Sequence, residues 1–355
     1  MNTESPSSSP RDVLNKNSME EKYMSSDDMS AGEIIMPNGE VIRKEGFRRM
    51  SVRKILIVLL VVFAALTAFA LKSGIVSNTA LFWTAHKSPW GEGGKGVKAW
   101  IARGADVNAR THFKGTFDLL RGYSSFPSSH TGMTPLMVAV GVRSLDNVKA
   151  LIDAGADVNA ADSKGWTALM WAIETTVNNE LDIIQALLDA GADVNAALPY
   201  DEDIDEESPL QLMARSGNAE GVRLLLRAGA DIHFKNHRGE TALFSAVNAS
   251  FVKDQIEIVK ILLAAGADIN AQANYPGDAA GNTVLMWAVF QADSTARMGE
   301  PMKSEDWAVQ KMKEEKELIQ VLLDAGADVN IKNKKGETAM DLAGTEEIKE
   351  LLRGK

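Results

Sequence analysis

The feature that most constrains the fold is a short string that recurs through the C-terminal three quarters of the chain. Gly-Ala-Asp followed by Val or Ile occurs six times, five times with Asn next and once with His233. The six strings begin at Gly104, Gly155, Gly191, Gly229, Gly266 and Gly326. Regular self-similarity of this kind predicts a repeat architecture, in which each copy is one supersecondary unit.

A second string, Thr-Ala-Leu or Thr-Pro-Leu with close variants, stands ahead of most copies, as at Thr134 and Thr167. Between the two strings, apolar residues such as Leu136 and Leu151 recur at helical spacing on two short segments, which predicts an antiparallel helix hairpin. The Gly of Gly-Ala-Asp is expected to end the second helix, because only glycine adopts the left-handed C-cap conformation without steric cost. Such a hairpin cannot bury both faces alone, so neighbouring hairpins must stack into a solenoid.

These two strings together resemble the ankyrin repeat, and the resemblance covers about 280 of the 355 residues. The ankyrin spacing of 21 residues between the strings is met at Thr134 to Gly155 and at Ser208 to Gly229. The same measure finds a degenerate first repeat at Thr79 and brings the count to seven. The resemblance therefore implies an all-α ankyrin-repeat solenoid of about seven helix-hairpin repeats with β-hairpin-like fingers.

The sequence departs from the family pattern at the position where ankyrin repeats usually have a histidine after Thr-Pro-Leu. That position holds Met137, Met170, Gln211, Phe244, Met286 and Asp341. We therefore expect the histidine-to-backbone bonds between repeats to be lost, and the methionines to fill the core.

Long fingers follow repeats one, three and five, and each has an aromatic residue nine positions after its Gly: Phe113, Tyr200 and Tyr275. A row of finger aromatics predicts contact with a partner protein, although each ring would equally serve to anchor its own loop. In ankyrin proteins, partners are bound by finger tips and by the concave face of the inner helices. By this resemblance the residue before each Thr position is also a contact position, which adds Met133, Trp166, Glu207, Glu240, Asn282 and Glu337.

Repeat six carries an insertion of 22 residues that includes Trp307, a further candidate contact. A Ser304 cap and early acidic residues predict that its second helix is extended toward its N-terminus. Trp307 would either contact a partner or fold back onto the solenoid.

Composition excludes several classes of function. The net charge of -10 has the wrong sign for a nucleic-acid-binding protein, and a chain without cysteine has neither disulfides nor thiolate sites. Catalytic motifs in their required context are absent from the sequence, so we expect no enzymatic activity, no cofactor and no small-molecule substrate. The alternative from another class is a metal-handling or redox-protective protein that uses the methionines with His233 and His237.

The N-terminal part predicts a membrane segment. Residues 1–54 are interpreted as a disordered cytoplasmic tail, 55–72 as a transmembrane signal anchor and 73–355 as the ankyrin-repeat domain. Ile55 to Leu71 holds no charged residue, and six basic residues precede it, which places the tail inside and the repeats outside. The chain is thus interpreted as a single-pass bacterial inner-membrane protein with periplasmic repeats. Cleavage near Ala70, giving a soluble exported module, and a buried soluble helix are the alternatives.

Overall fold

The computed structural model describes residues 33–35, 41–43, 75–86, 94–111, 131–176, 181–199, 206–249, 254–274, 280–298 and 305–354. The chain divides into two compact units, Met1–Ser73 and Gly74–Lys355. In the first unit, strands β1 (Glu33–Ile35) and β2 (Val41–Arg43) pair antiparallel, with Ile34 opposite Ile42. These strands belong to the segment interpreted as a disordered tail, and the rest of that tail lies outside the described residues.

The described part of the second unit contains fourteen helices, which form seven consecutive pairs. They are α1 (Ile75–His86), α2 (Lys95–Ile101), α3 (Pro135–Gly141), α4 (Leu145–Asp153), α5 (Ala168–Thr175), α6 (Asp182–Asp189), α7 (Pro209–Ser216), α8 (Ala219–Arg227), α9 (Ala242–Asn248), α10 (Gln255–Ala264), α11 (Val284–Met298), α12 (Glu305–Asp324), α13 (Ala339–Leu342) and α14 (Glu346–Arg353). Each odd-numbered helix is the first helix of a repeat and packs against its even-numbered partner. The predicted solenoid of seven helix hairpins is confirmed.

The two recurring strings form the two ends of each hairpin. The Thr134 hydroxyl accepts a hydrogen bond from the Met137 amide at 3.3 Å, which caps the first turn of α3. The same position caps the first helix at Thr167, Ser208, Thr283 and Thr338. At the other end of the hairpin, Gly155 follows α4 with φ of 83°, a left-handed conformation that favours glycine.

First helices pack on the first helices of neighbouring repeats, so the core runs along the length of the stack. Met137, Met170 and Met286 are at most 1% exposed within it. The prediction that these methionines fill the core is confirmed. One finger is a true hairpin, in which β3 (Gln272–Asn274) pairs antiparallel with β4 (Ala280–Thr283).

An asparagine at the end of most Gly-Ala-Asp strings joins one repeat to the next. The Asn159 side chain accepts from the Asp193 amide at 2.7 Å and donates to the Gly191 carbonyl at 3.1 Å. Equivalent bonds to the amide of the next repeat are made by Asn108, Asn195 and Asn270. We call these contacts the inter-repeat asparagine bonds. They link successive repeats along the solenoid.

Repeat six has the longest helix pair in the described part of the chain. Helix α12 has 20 residues and begins at Glu305, so the predicted N-terminal extension of the second helix is confirmed. The first helix, α11, is also long, with 15 residues, which the sequence analysis did not predict. The two helices pack along one another beyond the length of the other hairpins.

No helix within the described ranges is both long and apolar enough to cross a membrane. The longest of them, α12, carries acidic and basic residues throughout. The predicted span from Ile55 to Leu71 lies outside those ranges. We therefore correct the fold class: the ankyrin-type solenoid stays, and the transmembrane helix in front of it is dropped. The inner-membrane location with periplasmic repeats is dropped with it.

Candidate protein-binding surface

The aromatic residues predicted at the fingers lie outside the described part of the chain. This holds for Phe113, Tyr200 and Tyr275. Trp307 is in the first turn of α12, and its side chain is likewise outside the description. These four assignments therefore stay predictions.

Two other predicted contact residues are buried. Met133 is 1% exposed, and its amide donates to the Thr111 hydroxyl at 3.0 Å. Asn282 is 2% exposed, and its Oδ1 accepts from Nδ2 of Asn333, in the following finger, at 3.0 Å. Since both side chains are enclosed by the solenoid itself, we leave Met133 and Asn282 out of the candidate surface.

Trp166 lies half-buried beside the first helix of repeat three. Its ring centroid is 5.0 Å from that of Trp171, and the two rings are tilted by 42°. Asp162 holds both residues, because its carboxylate accepts from the Trp166 amide at 3.0 Å and from Nε1 of Trp171 at 3.3 Å. Trp171 is only 2% exposed, so it is a buried support for the Trp166 ring, which is the part of the pair that faces the surface at the base of the finger.

Glu240 occupies the same position two repeats further on and is partly exposed. Its carboxylate accepts from Nδ2 of Asn236 at 2.6 Å, and its amide donates to Oδ1 of the same residue at 2.9 Å. The carboxylate is therefore oriented by its own finger.

The structure reveals a row of exposed side chains that the sequence analysis missed. They occupy the position seven residues after the cap on the first helices of repeats three to six: Glu174, Arg215, Asn248 and Phe290. Seven residues are about two helical turns, so the same position lies on the same face of every first helix. We call these four residues the first-helix row. The equal spacing from the caps was the sequence signal for this row.

One end of the first-helix row is charged. The Arg215 guanidinium lies 3.3 Å from the Glu207 carboxylate and 3.9 Å from that of Glu174 in the preceding repeat. Glu174 and Arg215 are about half exposed, at 50% and 49%, and Glu207 is 21% exposed. The Arg215 guanidinium therefore lies between two carboxylates and links the first helices of repeats three and four.

The other end of the first-helix row is aromatic. Phe290 is 50% exposed, and among the described residues it is the only large apolar side chain that is exposed and not at least partly buried. Its ring stacks against Trp287 with centroids 5.7 Å apart. Nε1 of Trp287 donates to Oδ1 of Asn248 at 3.2 Å, which joins the aromatic pair to the preceding repeat. The pair is thus positioned before any partner arrives.

The metal-handling alternative finds no support in the described ranges. No three His, Asp or Glu side chains there are placed so that they would hold a metal ion. His233 is exposed, and its amide donates to the Asp231 carboxylate, as the corresponding amides do in other fingers.

Comparisons with known proteins agree with this architecture. The chain spans less than half of two curated relatives. It is 29% identical to a B-cell lymphoma 3 protein homolog of Mus musculus over 223 residues, which are 62% of this chain and 42% of the relative. It is 32% identical to a mitochondrial disaggregase of Bos taurus over 231 residues, which are 65% of this chain and 24% of the relative.

Two solved structures share the fold. The human ASB11 ankyrin repeat domain matches with a TM-score of 0.51 and 21% identity, over 77% of this chain and 96% of that one. The Bcl-3 ankyrin repeat domain matches with a TM-score of 0.53 and 23% identity, over 78% and 98%. The model of the family described as ankyrin repeats (3 copies) matches residues 95–198 and 210–298, which are more than half of the sequence. The chain belongs to the ankyrin-repeat family.

Proposed function

We propose that this protein is a binding scaffold that holds a partner protein on the first-helix row and on the half-buried ring of Trp166, which the buried Trp171 supports. Ankyrin repeats indicate a protein partner, and the proposal concerns where that partner binds. The observation that carries it is the exposure of Phe290 beside Trp287 on rigid, capped helices. Large aromatic side chains are enriched among the residues that contribute most binding energy.

The rigidity of the surface supports this assignment. The Trp166 ring is held by its contact with Trp171, and the Trp287 ring by the bond from its Nε1 to Asn248 and by its contact with Phe290. Side chains that are already ordered lose little conformational entropy on association, so more of the contact energy remains as affinity. We include Glu240 and the finger residues Phe113, Tyr200, Tyr275 and Trp307 as proposed flanking contacts.

The position of the partner is tested by site-specific photocrosslinking. A photoreactive amino acid is placed on the first-helix row, at Glu174 or Asn248, and at matched exposed positions on second helices, Lys149 of α4 or Lys260 of α10. After irradiation in cells of the source organism, we expect one discrete adduct from the row positions and none from the second helices. The adduct should disappear when Phe290 and Trp287 are both replaced by Ala.

Adducts that form equally from Lys149 and Lys260, or their absence from the row, would overturn the proposed surface. Adducts that persist in the Phe290→Ala, Trp287→Ala double variant would show that the aromatic pair contributes nothing to binding.

A further inference from the structure

The aromatic end of the first-helix row is a neutral strip across repeats five and six. Neither of its members there, Asn248 and Phe290, is charged, and both side chains are exposed. The ring of Phe290 lies 5.7 Å from that of Trp287 with 30° between the ring planes, so the two rings form one broad apolar ridge. A ligand of this strip makes apolar contacts at repeat six and neutral polar contacts at repeat five.

The polar contact at repeat five comes from an amide whose orientation is fixed. Oδ1 of Asn248 accepts from Nε1 of Trp287 at 3.2 Å. Within the described part of the chain, Nδ2 of Asn248 has no hydrogen-bond partner. Its two N–H donors fit the oxygen of a carbonyl group or a carboxylate. Since the row carries no cation at repeats five and six, a neutral carbonyl fits this position better than a carboxylate does.

An unpaired carbonyl in the ligand restricts its backbone conformation. The carbonyl groups of an α-helix bond to amides of the same helix, so a helix along the row would offer Asn248 only a side chain. A β-strand has unpaired carbonyl groups, but its residues that share a face are about 7 Å apart. Neighbouring first helices pack against one another, and packed helices are about 8–10 Å apart. A strand is therefore out of step with the repeats.

A polyproline II segment satisfies both requirements. It has three residues per turn and a rise of about 3.1 Å per residue, so it returns to the same face about every 9.3 Å. This distance matches the spacing of the first helices. The segment has no internal hydrogen bonds, and its carbonyl groups remain available to a donor such as Nδ2 of Asn248.

We propose that the aromatic end of the first-helix row binds a proline-rich segment of the partner protein in the polyproline II conformation. One proline of this segment packs on Phe290 and Trp287, and the carbonyl of the residue three positions away accepts from Nδ2 of Asn248. Aromatic surfaces suit such segments, because proline is apolar and the segment is already ordered before it binds. The inference rests on the proposed function, since it names the class of segment that the same surface holds.

Synthetic peptides test this inference on the full-length chain. The probe is a fluorescein-labelled peptide of repeated Pro-Pro-Ala, about 12 residues long, which forms polyproline II in water. In the first control peptide Ser and Gly replace every proline, which keeps the length and the neutrality and removes the preformed conformation. The second control is a neutral helix of Ala and Gln, about 22 residues long, with Leu at every seventh position. Binding is followed by fluorescence anisotropy.

We expect the probe to bind at least about tenfold more tightly than either control peptide, and Phe290→Ala to weaken its binding by about tenfold or more. Asn248→Asp keeps the acceptor for Trp287 and removes the Nδ2 donors, so it should weaken the probe by about threefold to tenfold. Lys260→Ala, an exposed change on α10, is the matched control and should leave the affinity unchanged. Higher salt should not weaken the probe, because no charges are paired.

The inference is overturned if either control peptide binds as tightly as the probe, or if none binds at its highest soluble concentration. It is also overturned if Phe290→Ala or Asn248→Asp leaves the affinity of the probe unchanged. The crosslinking experiment separates this result from the proposed function. Adducts from Glu174 and Asn248 without a preference for the proline peptide would reject the proline-rich segment and keep the binding surface. The absence of both would reject the surface itself.

Discussion

Gln211 compensates, at a single position, for the missing histidine of the family pattern. Its Nε2 donates to the Glu240 carbonyl of the next repeat at 2.9 Å, and its Oε1 accepts from the Ser208 amide at 2.9 Å. The expectation that bonds from this position to the neighbouring repeat are lost is therefore wrong between repeats four and five. Glutamine makes both bonds because its long side chain ends in a donor and an acceptor.

We predict that Gln211→Met lowers the free energy of unfolding by about 1–2 kcal/mol, because the buried Ser208 amide loses its partner and the part-buried Glu240 carbonyl keeps only the bond from the Asn236 amide. Urea denaturation measures the change. The matched control is Met137→Leu, at the same position of repeat two, which removes no amide and should cost less than about 1.5 kcal/mol. Equal losses in the two variants would mean that Gln211 acts by filling space only.

His233 interrupts the inter-repeat asparagine bonds at the same junction. It stands where Asn159 and Asn195 stand in other repeats, and its amide makes the same turn contact to Asp231 at 2.8 Å. An imidazole differs in shape from a carboxamide, which accepts from one backbone amide and donates to a nearby carbonyl at once. Among the described residues, His233 makes no such pair of side-chain hydrogen bonds to repeat five.

We predict that His233→Asn raises the free energy of unfolding by about 1 kcal/mol, because it adds two exposed hydrogen bonds. His233→Ala is the control, since alanine has no side-chain donor or acceptor. If both substitutions shift the urea midpoint alike, the gain comes from removing the imidazole and not from the new bonds.

At the scale of the elements, the sequence predicts most helix pairs because their ends are local signals. A capping Thr and a left-handed Gly each act within a few residues, so Thr167 and Gly191 suffice to place α5 and α6. The first-helix row was missed because exposure depends on how repeats stack. The length of α11 was missed because no capping residue follows the point where the first helices of most other repeats end. Its apolar residues continue at helical spacing through Ala292.

The long hairpin of α11 and α12 encloses an ion pair. Lys311 and Glu315 are 6% and 5% exposed, with Nζ 4.0 Å from Oε1, and the Thr295 hydroxyl donates to the same oxygen at 2.8 Å. Burial is the largest influence on Glu315 and raises the pKa of its carboxyl above the ordinary 4.5, against the opposing effects of Thr295 and Lys311. The folded protein therefore holds this proton more tightly than the unfolded chain does.

The raised pKa sets the sign of the pH dependence. The favourable contribution of protonated Glu315 is complete below the ordinary pKa and is lost as the pH rises through the raised value. We predict that the double variant Lys311→Met with Glu315→Gln is at least as stable as the unchanged protein at neutral pH, by up to about 1–2 kcal/mol. This difference should shrink as the pH falls to 4.5 or below.

Thermal unfolding at several pH values measures the effect. The control is Lys311→Met alone, which leaves a buried carboxylate with fewer partners and should lower stability at neutral pH by about 2–4 kcal/mol. A difference between the double variant and the unchanged protein that stays constant across pH would show that Glu315 does not change its protonation there.

At the scale of the whole molecule, each repeat of Gly74–Lys355 contacts chiefly its neighbours, so stability is a sum of nearest-neighbour contributions. Repeat seven ends the series with a first helix of only four residues, α13, and a charged second helix, α14. Ile348 and Leu352 of α14 are at most 2% exposed, and α14 packs against α12. Repeat seven therefore covers the apolar end of repeat six.

We predict that removing residues 331–355 sharply reduces amide hydrogen-exchange protection in α11 and α12 and leaves α3 to α6 close to their protection in the full chain. The physical reason is that repeat six loses its only C-terminal neighbour in the described solenoid, whereas repeats two and three keep both of theirs. Exchange measured by mass spectrometry resolves these helices separately. Glu350→Ala, an exposed change on α14, is the control and should leave α11 and α12 protected. An equal loss of protection in every repeat would mean that the solenoid unfolds as one cooperative unit. The stability of the first-helix row would then depend on repeat seven as much as on the helices that carry the row.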